Sequence, residues 1–201
     1  MRICFIGDSF VTGTGDDECL GWVGRLCTTA RKAGHDITCY NLGIRRDTSA
    51  DILARWRQEV ERRKLAGVDL RLVFSFGTND CTVDQASGAA RLPHSLSLSS
   101  AEQILSTARR GFPVLMVGPL PVLDDPATDR RIELLSRDLA ALCAKHEIPF
   151  LEVFGAMAEC AAWRREAVAG DGSHPNAEGY AALARMIGAS SPWQTWLRSA
   201  D

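Results

Sequence analysis

Residues 69–80 read DLRLVFSFGTND, and this stretch decides the fold. Between Leu70 and Phe76 the run is mostly apolar and does not alternate strictly between apolar and polar residues. A strand that is covered on both faces has this pattern, whereas in a strand with one solvent-exposed face apolar and polar residues alternate. Strands of that kind belong to parallel sheets between layers of helices, so the stretch predicts an α/β fold.

Strand and helix patterns alternate on both sides of this strand. The other predicted strands span residues 2–6, 36–42, 113–117 and 149–153. The predicted helices span residues 20–33, 48–64, 99–110, 128–145 and 176–187, with a further turn or two at 192–197. The helix at 48–64 is the clearest, because Ile52, Trp56 and Val60 fall four residues apart on one face. Strands separated by helices predict one parallel sheet with helices on both faces and right-handed crossovers.

The composition is that of an ordinary globular domain. The chain has 201 residues, enough for one domain with a full core, so we assign residues 1–201 to a single domain. The net charge is −2 and the arginines are spread along the chain, which predicts no nucleic-acid partner, because such a partner needs a clustered basic stripe. No apolar run approaches the roughly 20 residues that cross a bilayer, so we expect no transmembrane segment.

The cysteines and the N-terminus indicate the compartment. The number of cysteines is seven, which is odd, and no two have the CxxC spacing of a zinc site. We therefore expect reduced thiols and no metal. The apolar run after Met1 is too short for a signal peptide before the turn at Gly7. Together these features predict a cytoplasmic protein.

One edge of the predicted sheet collects residues that suit acyl transfer. Ser9, Gly43 and Asn79 come at the ends of the first three strands, and the carboxyl ends of parallel strands share one edge. Of the four histidines, only His174 follows a loop before a helix with an acid, Asp171, three residues earlier. We expect Ser9 as nucleophile, His174 as base and Asp171 as the group that orients the base. The amides of Ser9 and Gly43 and the side chain of Asn79 are candidate oxyanion donors.

Four sequence blocks occur in an order that is familiar from one hydrolase family. They are Gly-Asp-Ser at 7–9, the glycine after Asn-Leu at 41–43, Gly-Thr-Asn-Asp at 77–80 and Asp-Gly-Ser-His-Pro-Asn at 171–176. With these blocks the chain resembles the SGNH, or GDSL-type, serine hydrolases. The resemblance implies a flavodoxin-like α/β/α sandwich of three layers around a five-stranded parallel sheet.

The resemblance also implies an activity and a site. The activity is hydrolysis of a small-molecule carboxylic ester, as in esterases, lipases and acylhydrolases, with no cofactor and no metal. Ser9, Gly43 and Asn79 match the oxyanion donors of the family. Asp171 and His174 match the pair that completes its Ser-His-Asp triad.

The block around Gly43 departs from the family pattern. It continues with Arg45 and Arg46, where small residues are common in relatives. We expect these two arginines to bind an anionic or sugar-like part of the substrate. Phe10 replaces the leucine of the motif and keeps a large apolar side chain.

Three further residues lie close to the site loops in sequence. Cys81, Trp22 and Trp163 are candidates for lining a substrate pocket, and an ordinary core position is the alternative for each. Residues 82–98 show no regular pattern and form a long predicted loop. Long loops are often functional, so we expect this one to contribute to substrate recognition.

Two other functions stay open. Asp8, Asp80, Asp171 and His174 have the side chains of a divalent-metal site, which a metal-dependent phosphoester hydrolase would use. A non-catalytic module that binds a nucleotide or flavin could use a similar sheet. Against that module, Gly13-Thr14-Gly15 lacks the third glycine of the dinucleotide fingerprint, and no Gly-Lys-Ser/Thr occurs.

Overall fold

A computed structural model describes residues 1–198 and contains one five-stranded sheet. The strands are β1 (Arg2–Gly7), β2 (Thr38–Gly43), β3 (Leu70–Ser75), β4 (Val114–Val117) and β5 (Phe150–Leu151). All pairs are parallel, in the order β2-β1-β3-β4-β5, which is the order of flavodoxin-like sheets. The predicted fold class is therefore confirmed. The assignment of residues 1–201 to a single domain stays a prediction.

Helices cover both faces of the sheet. They are α1 (Ser9–Thr12), α2 (Gly21–Lys32), α3 (Ser49–Glu61), α4 (Thr78–Cys81), α5 (His94–Arg109), α6 (Pro126–Lys145), α7 (Phe154–Glu159), α8 (Ala161–Ala169), α9 (Ala177–Ala189) and α10 (Ser191–Arg198). Within residues 1–198, no helix is both long and apolar enough to span a membrane.

Two hydrophobic cores, one on each face, produce the three layers. Successive side chains of a strand point to opposite faces. Ile3 and Phe5 of β1 accordingly join a core with α2 and α9, while Cys4 and Ile6 join a second core with α3, α5 and α6. Burial on both faces explains why β1 and β3 are so apolar in sequence.

The helix that was expected to begin at Ser99 begins at His94, so the predicted start is wrong. Its first turn is held by the carbonyl of Pro93, which accepts a hydrogen bond from the amide of Ser97. Ser97 and Ser100 are both buried. Because serines occupy the covered face of this first turn, the sequence shows no apolar period there. The predicted loop at residues 82–98 therefore includes the first turn of α5.

Four helices were not predicted at all. Two are the four-residue helices α1 and α4, and the other two are α7 and α8, which lie between β5 and the loop that carries His174. The buried residues are Met157 in α7 and Trp163 and Ala167 in α8. So few buried positions produce no recognisable amphipathic period.

The strand order places the carboxyl end of β1 at the centre of the sheet edge. The chain leaves β1 for β2 on one side and continues to β3 on the other, and ligands of such sheets bind outside the carboxyl ends at this point. Gly7 ends β1 so close to β3 that a Cβ atom there would lie 2.0 Å from the carbonyl oxygen of Ser75. The close approach requires glycine at position 7, and it places Ser9 at this edge of the sheet.

Candidate active site

Ser9 is the first residue of α1, directly after β1. Asp8 caps the helix, since its Oδ1 accepts a hydrogen bond of 3.0 Å from the amide of Phe10. Ser9 is 5% exposed. As the first helical residue, it has an amide N–H with no partner inside the helix, so this donor is available for a ligand.

His174 connects Ser9 to Asp171. The distance from His174 Nε2 to Ser9 Oγ is 2.8 Å, and the distance from His174 Nδ1 to Asp171 Oδ2 is 2.7 Å. Asp171 Oδ1 also accepts hydrogen bonds from the amides of Ser173 and His174. The three side chains that were predicted as nucleophile, base and orienter thus lie in one hydrogen-bonded row.

The carboxylate of Asp171 is held in its charged form. Burial by itself would raise its pKa, but hydrogen bonds from the His174 amide, the His174 ring and the Ser173 amide outweigh burial and hold the pKa below its ordinary value. An ionised Asp171 accepts the Nδ1 proton of His174. In the neutral imidazole that this bond orients, Nε2 is the ring nitrogen that can accept a proton from Ser9.

The loop that carries His174 is anchored at the start of α9. Glu166 accepts hydrogen bonds from the amides of Asn176 (2.9 Å) and Gly179 (2.8 Å), and also from that of Glu178. The side chain of Asn176 accepts from the amide of Asp17 and donates to its carboxylate. Sequence reasoning missed Glu166, and the only signal for it was a helix start whose amides need an acceptor.

Aromatic side chains pack against the imidazole ring of His174. The ring centroid of Phe10 lies 4.7 Å from that of His174, and Trp163 stacks on Phe10 at 5.8 Å. Trp163 therefore supports the site from the core.

The candidate pocket residues Trp22, Trp163 and Cys81 are all buried. Trp22 and Trp163 have no exposed surface, so the structure places them in the core on the α2 and α9 side of the sheet and not on a pocket wall. Cys81 lies in the other core, and burial raises the pKa of its thiol to about 12. For each of the three, packing favours the core position that was the alternative.

Gly43 is the last residue of β2, and Asn79 lies in α4, which follows β3. The Asn79 side-chain Nδ2 donates to the carbonyl of Asp47 at 3.0 Å, which uses one of its two N–H groups. The Gly43 amide donates to Asn41 Oδ1, also at 3.0 Å. A Cβ atom on Gly43 would lie 2.3 Å from the amide nitrogen of Thr12, so only glycine fits beside α1.

Arg45 and Arg46 follow on the exposed side of this loop. Arg45 lines a cavity of about 430 Å³ together with Thr14, Asp171 and His174. In the part of the chain that the structure describes, no carboxylate lies within 4.0 Å of either guanidinium group. Arg46 has a φ of 71°, and its carbonyl accepts a hydrogen bond from Arg91, so the loop after Thr82 touches this segment.

A larger cavity of about 850 Å³ opens at the opposite edge of the sheet. Leu70, Val114 and Trp196 are among the residues that line it. Its lining includes no predicted catalytic residue. The predicted catalytic residues Asp171 and His174 line the smaller cavity, at the carboxyl ends of the strands.

Among the four residues of the metal-site alternative, Asp171 and His174 contact each other, whereas Asp8 and Asp80 have other partners. Asp80 accepts hydrogen bonds from the amide (2.8 Å) and hydroxyl (2.5 Å) of Ser49, at the start of α3. Asp171 is engaged with His174, and Asp8 caps α1. Among residues 1–198, no three His, Cys, Asp or Glu side chains converge as metal ligands would. This donor arrangement does not favour the alternative.

Two of these carboxyl groups have raised pKa values. Burial raises the pKa of Asp8 to about 7, and the charges of Asp80 and Asp47 add to this. Burial also raises the pKa of Asp80, against the hydrogen bonds from Ser49 and Ser97. Asp8 caps α1, and Asp80 binds Ser49 at the start of α3.

Known proteins resemble the chain over most of its length. A sequence model of the GDSL-like Lipase/Acylhydrolase family matches residues 5–182. The crystal structure of TesA is 25% identical, with a TM-score of 0.73 and 98% of each chain covered. No curated protein sequence matches the chain.

Two further solved structures share the fold at lower identity. The lipase/acylhydrolase from Enterococcus faecalis is 23% identical, with a TM-score of 0.70 and 93% of each chain covered. Axe2, an acetylxylan esterase from Geobacillus stearothermophilus, is 17% identical, with a TM-score of 0.75 and coverage of 99% of this chain and 94% of that chain.

Proposed function

This chain belongs to the GDSL-like lipase/acylhydrolase family, and we propose that it hydrolyses carboxylic esters through an acyl-enzyme on Ser9. One observation carries the proposal. His174 lies within hydrogen-bond distance of Ser9 Oγ on one side, at 2.8 Å, and of Asp171 Oδ2 on the other, at 2.7 Å. A nucleophile, a base and an orienting acid in this row are the requirements of serine-based acyl transfer.

In the first half of the reaction, Ser9 Oγ bonds to the ester carbonyl carbon while His174 Nε2 takes the hydroxyl proton. The tetrahedral intermediate then collapses, the carbon–oxygen bond to the alcohol breaks, and the alcohol leaves with the proton from His174. In the second half, water attacks the acyl-enzyme and gives its proton to His174. That proton returns to Ser9 as the acid departs. Asp171 holds the ring tautomer and stabilises the imidazolium.

The negative charge of the intermediate is stabilised by the amides of Ser9 and Gly43 and by the free N–H of Asn79. Removal of one such donor typically costs about 10²–10³ in kcat. The Gly43 amide donates to Asn41 Oδ1 in the unliganded protein. To act as an oxyanion donor, the Gly43 amide must turn from Asn41 Oδ1 to the oxyanion or donate to both. The oxyanion is the stronger acceptor because it is charged.

Hydrolysis of p-nitrophenyl esters of increasing acyl length tests the proposal, with Ser9→Ala beside wild type and EDTA as a third arm. Ser99→Ala, at an exposed serine of α5, is the matched control. We expect turnover that depends on chain length, ignores EDTA, is kept in the control and is lost in Ser9→Ala. Full turnover in Ser9→Ala, or turnover that EDTA abolishes, would contradict the mechanism.

We further propose that Arg45, with Arg46 beside it, binds an anionic or sugar-like part of the substrate. Arg45 lines the cavity next to His174, and among residues 1–198 its guanidinium group has no carboxylate within ion-pair distance. Arg45→Met should therefore raise KM for esters that carry a carboxylate and leave KM for neutral esters of equal size unchanged. Equal KM changes for both kinds of ester, or none for either, would refute the assignment.

We also propose a cytoplasmic location. All seven cysteines are free thiols, and reduced thiols are typical of reducing compartments. Fractionation of cells that express the chain tests this, and its recovery with a secreted fraction would contradict it.

A further inference from the structure

We propose that Arg55 is a positioning residue for the oxyanion donors. Its guanidinium group holds Asp47, and the main chain of Asp47 holds the Asn79 side chain. The inference rests on the proposed function, because it assigns Arg55 a role in the step that Asn79 serves there. Arg55 lies on α3 and touches none of the three side chains of the hydrogen-bonded row.

The guanidinium group of Arg55 is enclosed and uses all three of its nitrogens. Nε donates to Asp47 Oδ2 at 2.6 Å, Nη1 donates to Glu59 Oε1 at 2.9 Å, and Nη2 donates to the carbonyl of Gly7 at 2.9 Å. The side chains of Arg55 and Asp47 are only 17% and 14% exposed. A pair this enclosed is screened less by water than a surface pair, so its geometry is maintained.

The contact with Asp47 determines how the Asn79 amide is oriented. The carbonyl of Asp47 can only accept a hydrogen bond, so the nitrogen of the Asn79 amide, and not its oxygen, must lie on this side. One N–H of the amide is used in this bond. The other N–H then has a fixed direction and stays available for the oxyanion.

The contact with Gly7 extends the same support to the other two donors. The Gly7 carbonyl accepts from Arg55 and also from the amide of Ile44 at 3.0 Å. Gly7 is two residues before Ser9, and Ile44 directly follows Gly43. One guanidinium group thereby connects the three loops that carry the proposed donors.

Only arginine suits this position. Its planar fork donates in three directions at once, whereas a lysine ammonium is a point charge on a flexible stem. Loss of the fork leaves the Asp47 carboxylate enclosed without its partner, and the loop must move to hydrate it. A displacement of about 1 Å in a catalytic group can cost about 10²-fold in rate.

The test compares Arg55→Met and Arg55→Lys with a matched control, Arg63→Met. Arg63 is also partly buried and follows α3, but its guanidinium group donates to the Glu59 carbonyl and lies over the Tyr40 ring, away from the site. We expect Arg55→Met to lower kcat by about 10- to 100-fold with little change in KM, because the donors act on the transition state. Arg55→Lys should recover less than half of that loss, and Arg63→Met should keep wild-type kcat.

A double-mutant cycle with Asn79→Ala separates positioning from general stability. If Arg55 acts in part through Asn79, then Arg55→Met should lower kcat by a clearly smaller factor in the Asn79→Ala background than in wild type, and the loss that remains there reflects the support of Ser9 and Gly43 through Gly7. A merely structural Arg55 would lower the melting temperature and cost the same factor in both backgrounds. Full additivity at a temperature where all variants are folded would overturn the inference.

A readout without turnover keeps this result distinct from a failure of the proposed function. In nuclear magnetic resonance spectra of wild type, the chemical shifts of the two Asn79 side-chain amide protons should differ widely, because only one of these protons is hydrogen-bonded to the Asp47 carbonyl. Arg55→Met should reduce the separation, and Arg63→Met should preserve it. An unchanged separation in Arg55→Met would overturn the positioning role. Esterase activity that survives in Ser9→Ala would overturn the proposed function, whatever the spectra show.

Discussion

Replacement of Asp8 by asparagine should stabilise the protein at neutral and alkaline pH. Asp8 is 2% exposed, and its carboxylate accepts a hydrogen bond from the Phe10 amide. Burial raises its pKa to about 7, which means that the folded protein disfavours the charged form. Asparagine keeps an oxygen that can accept from Phe10 and carries no charge.

The expected size of the effect follows from the two protonation equilibria of Asp8. In the unfolded chain the group ionises near 3.8, whereas in the folded protein it keeps its proton until about pH 7. As the pH rises between these values, the unfolded state alone loses the proton, so the free energy of unfolding falls. Each pKa unit corresponds to about 1.4 kcal/mol, so the interval between the two pKa values of Asp8 lowers the free energy of unfolding by about 4 kcal/mol. This penalty is complete above pH 7 and disappears below pH 4.

Urea unfolding of wild type and Asp8→Asn from pH 4.5 to pH 8 measures the penalty. The stability of the variant relative to wild type should increase by about 3 kcal/mol over this range, because part of the penalty is already present at pH 4.5. Other titrating groups are common to both proteins and cancel in the difference. Asp36→Asn, at a side chain that is 99% exposed, is the control for removal of a carboxylate at the surface. A difference for Asp8→Asn that stays constant within about 0.5 kcal/mol would refute the reasoning.

Three other substitutions test the supports of the site. Asp16→Ala should lower the free energy of unfolding at pH 7 by about 3–5 kcal/mol in urea, because it removes the enclosed carboxylate that pairs with Arg25 and that accepts hydrogen bonds from the amides of Glu18, Leu20 and Gly21. Gly43→Ala should lower the melting temperature by about 5 °C in calorimetry, since the new Cβ would meet the Thr12 amide nitrogen at 2.3 Å. Glu166→Ala should lower kcat on p-nitrophenyl acetate by about 10-fold and Glu166→Gln by less, because glutamine keeps an acceptor for the amides of the His174 loop. A change in the free energy of unfolding below 1 kcal/mol would contradict the expectation for Asp16→Ala. For Gly43→Ala the corresponding limit is a change in melting temperature below 1 °C, and for Glu166→Ala a change in kcat below 2-fold.

The architecture could be predicted because its signals are local. The mostly apolar run of β3 indicates burial on both faces, and the spacing of Ile52, Trp56 and Val60 indicates the covered face of α3. The positions of the site candidates were also accessible, since parallel strands bring their carboxyl ends to one edge whatever the loops between them do. Where the local signal was weak, as at the buried Ser97, the predicted boundary was wrong.

The sequence by itself therefore determined the fold class and indicated Ser9, Asp171 and His174 as candidates at one edge of the sheet, and the tertiary structure decided which side chains touch. No pattern along the chain shows that Arg55 binds Asp47 and Gly7, or that Glu166 holds the loop of His174. Such contacts depend on distances between segments far apart in sequence, which are set only when the sheet order and the two cores have formed. Burial is decided in the same way, because an aromatic residue near a site loop packs inside or lines a pocket according to its three-dimensional neighbours.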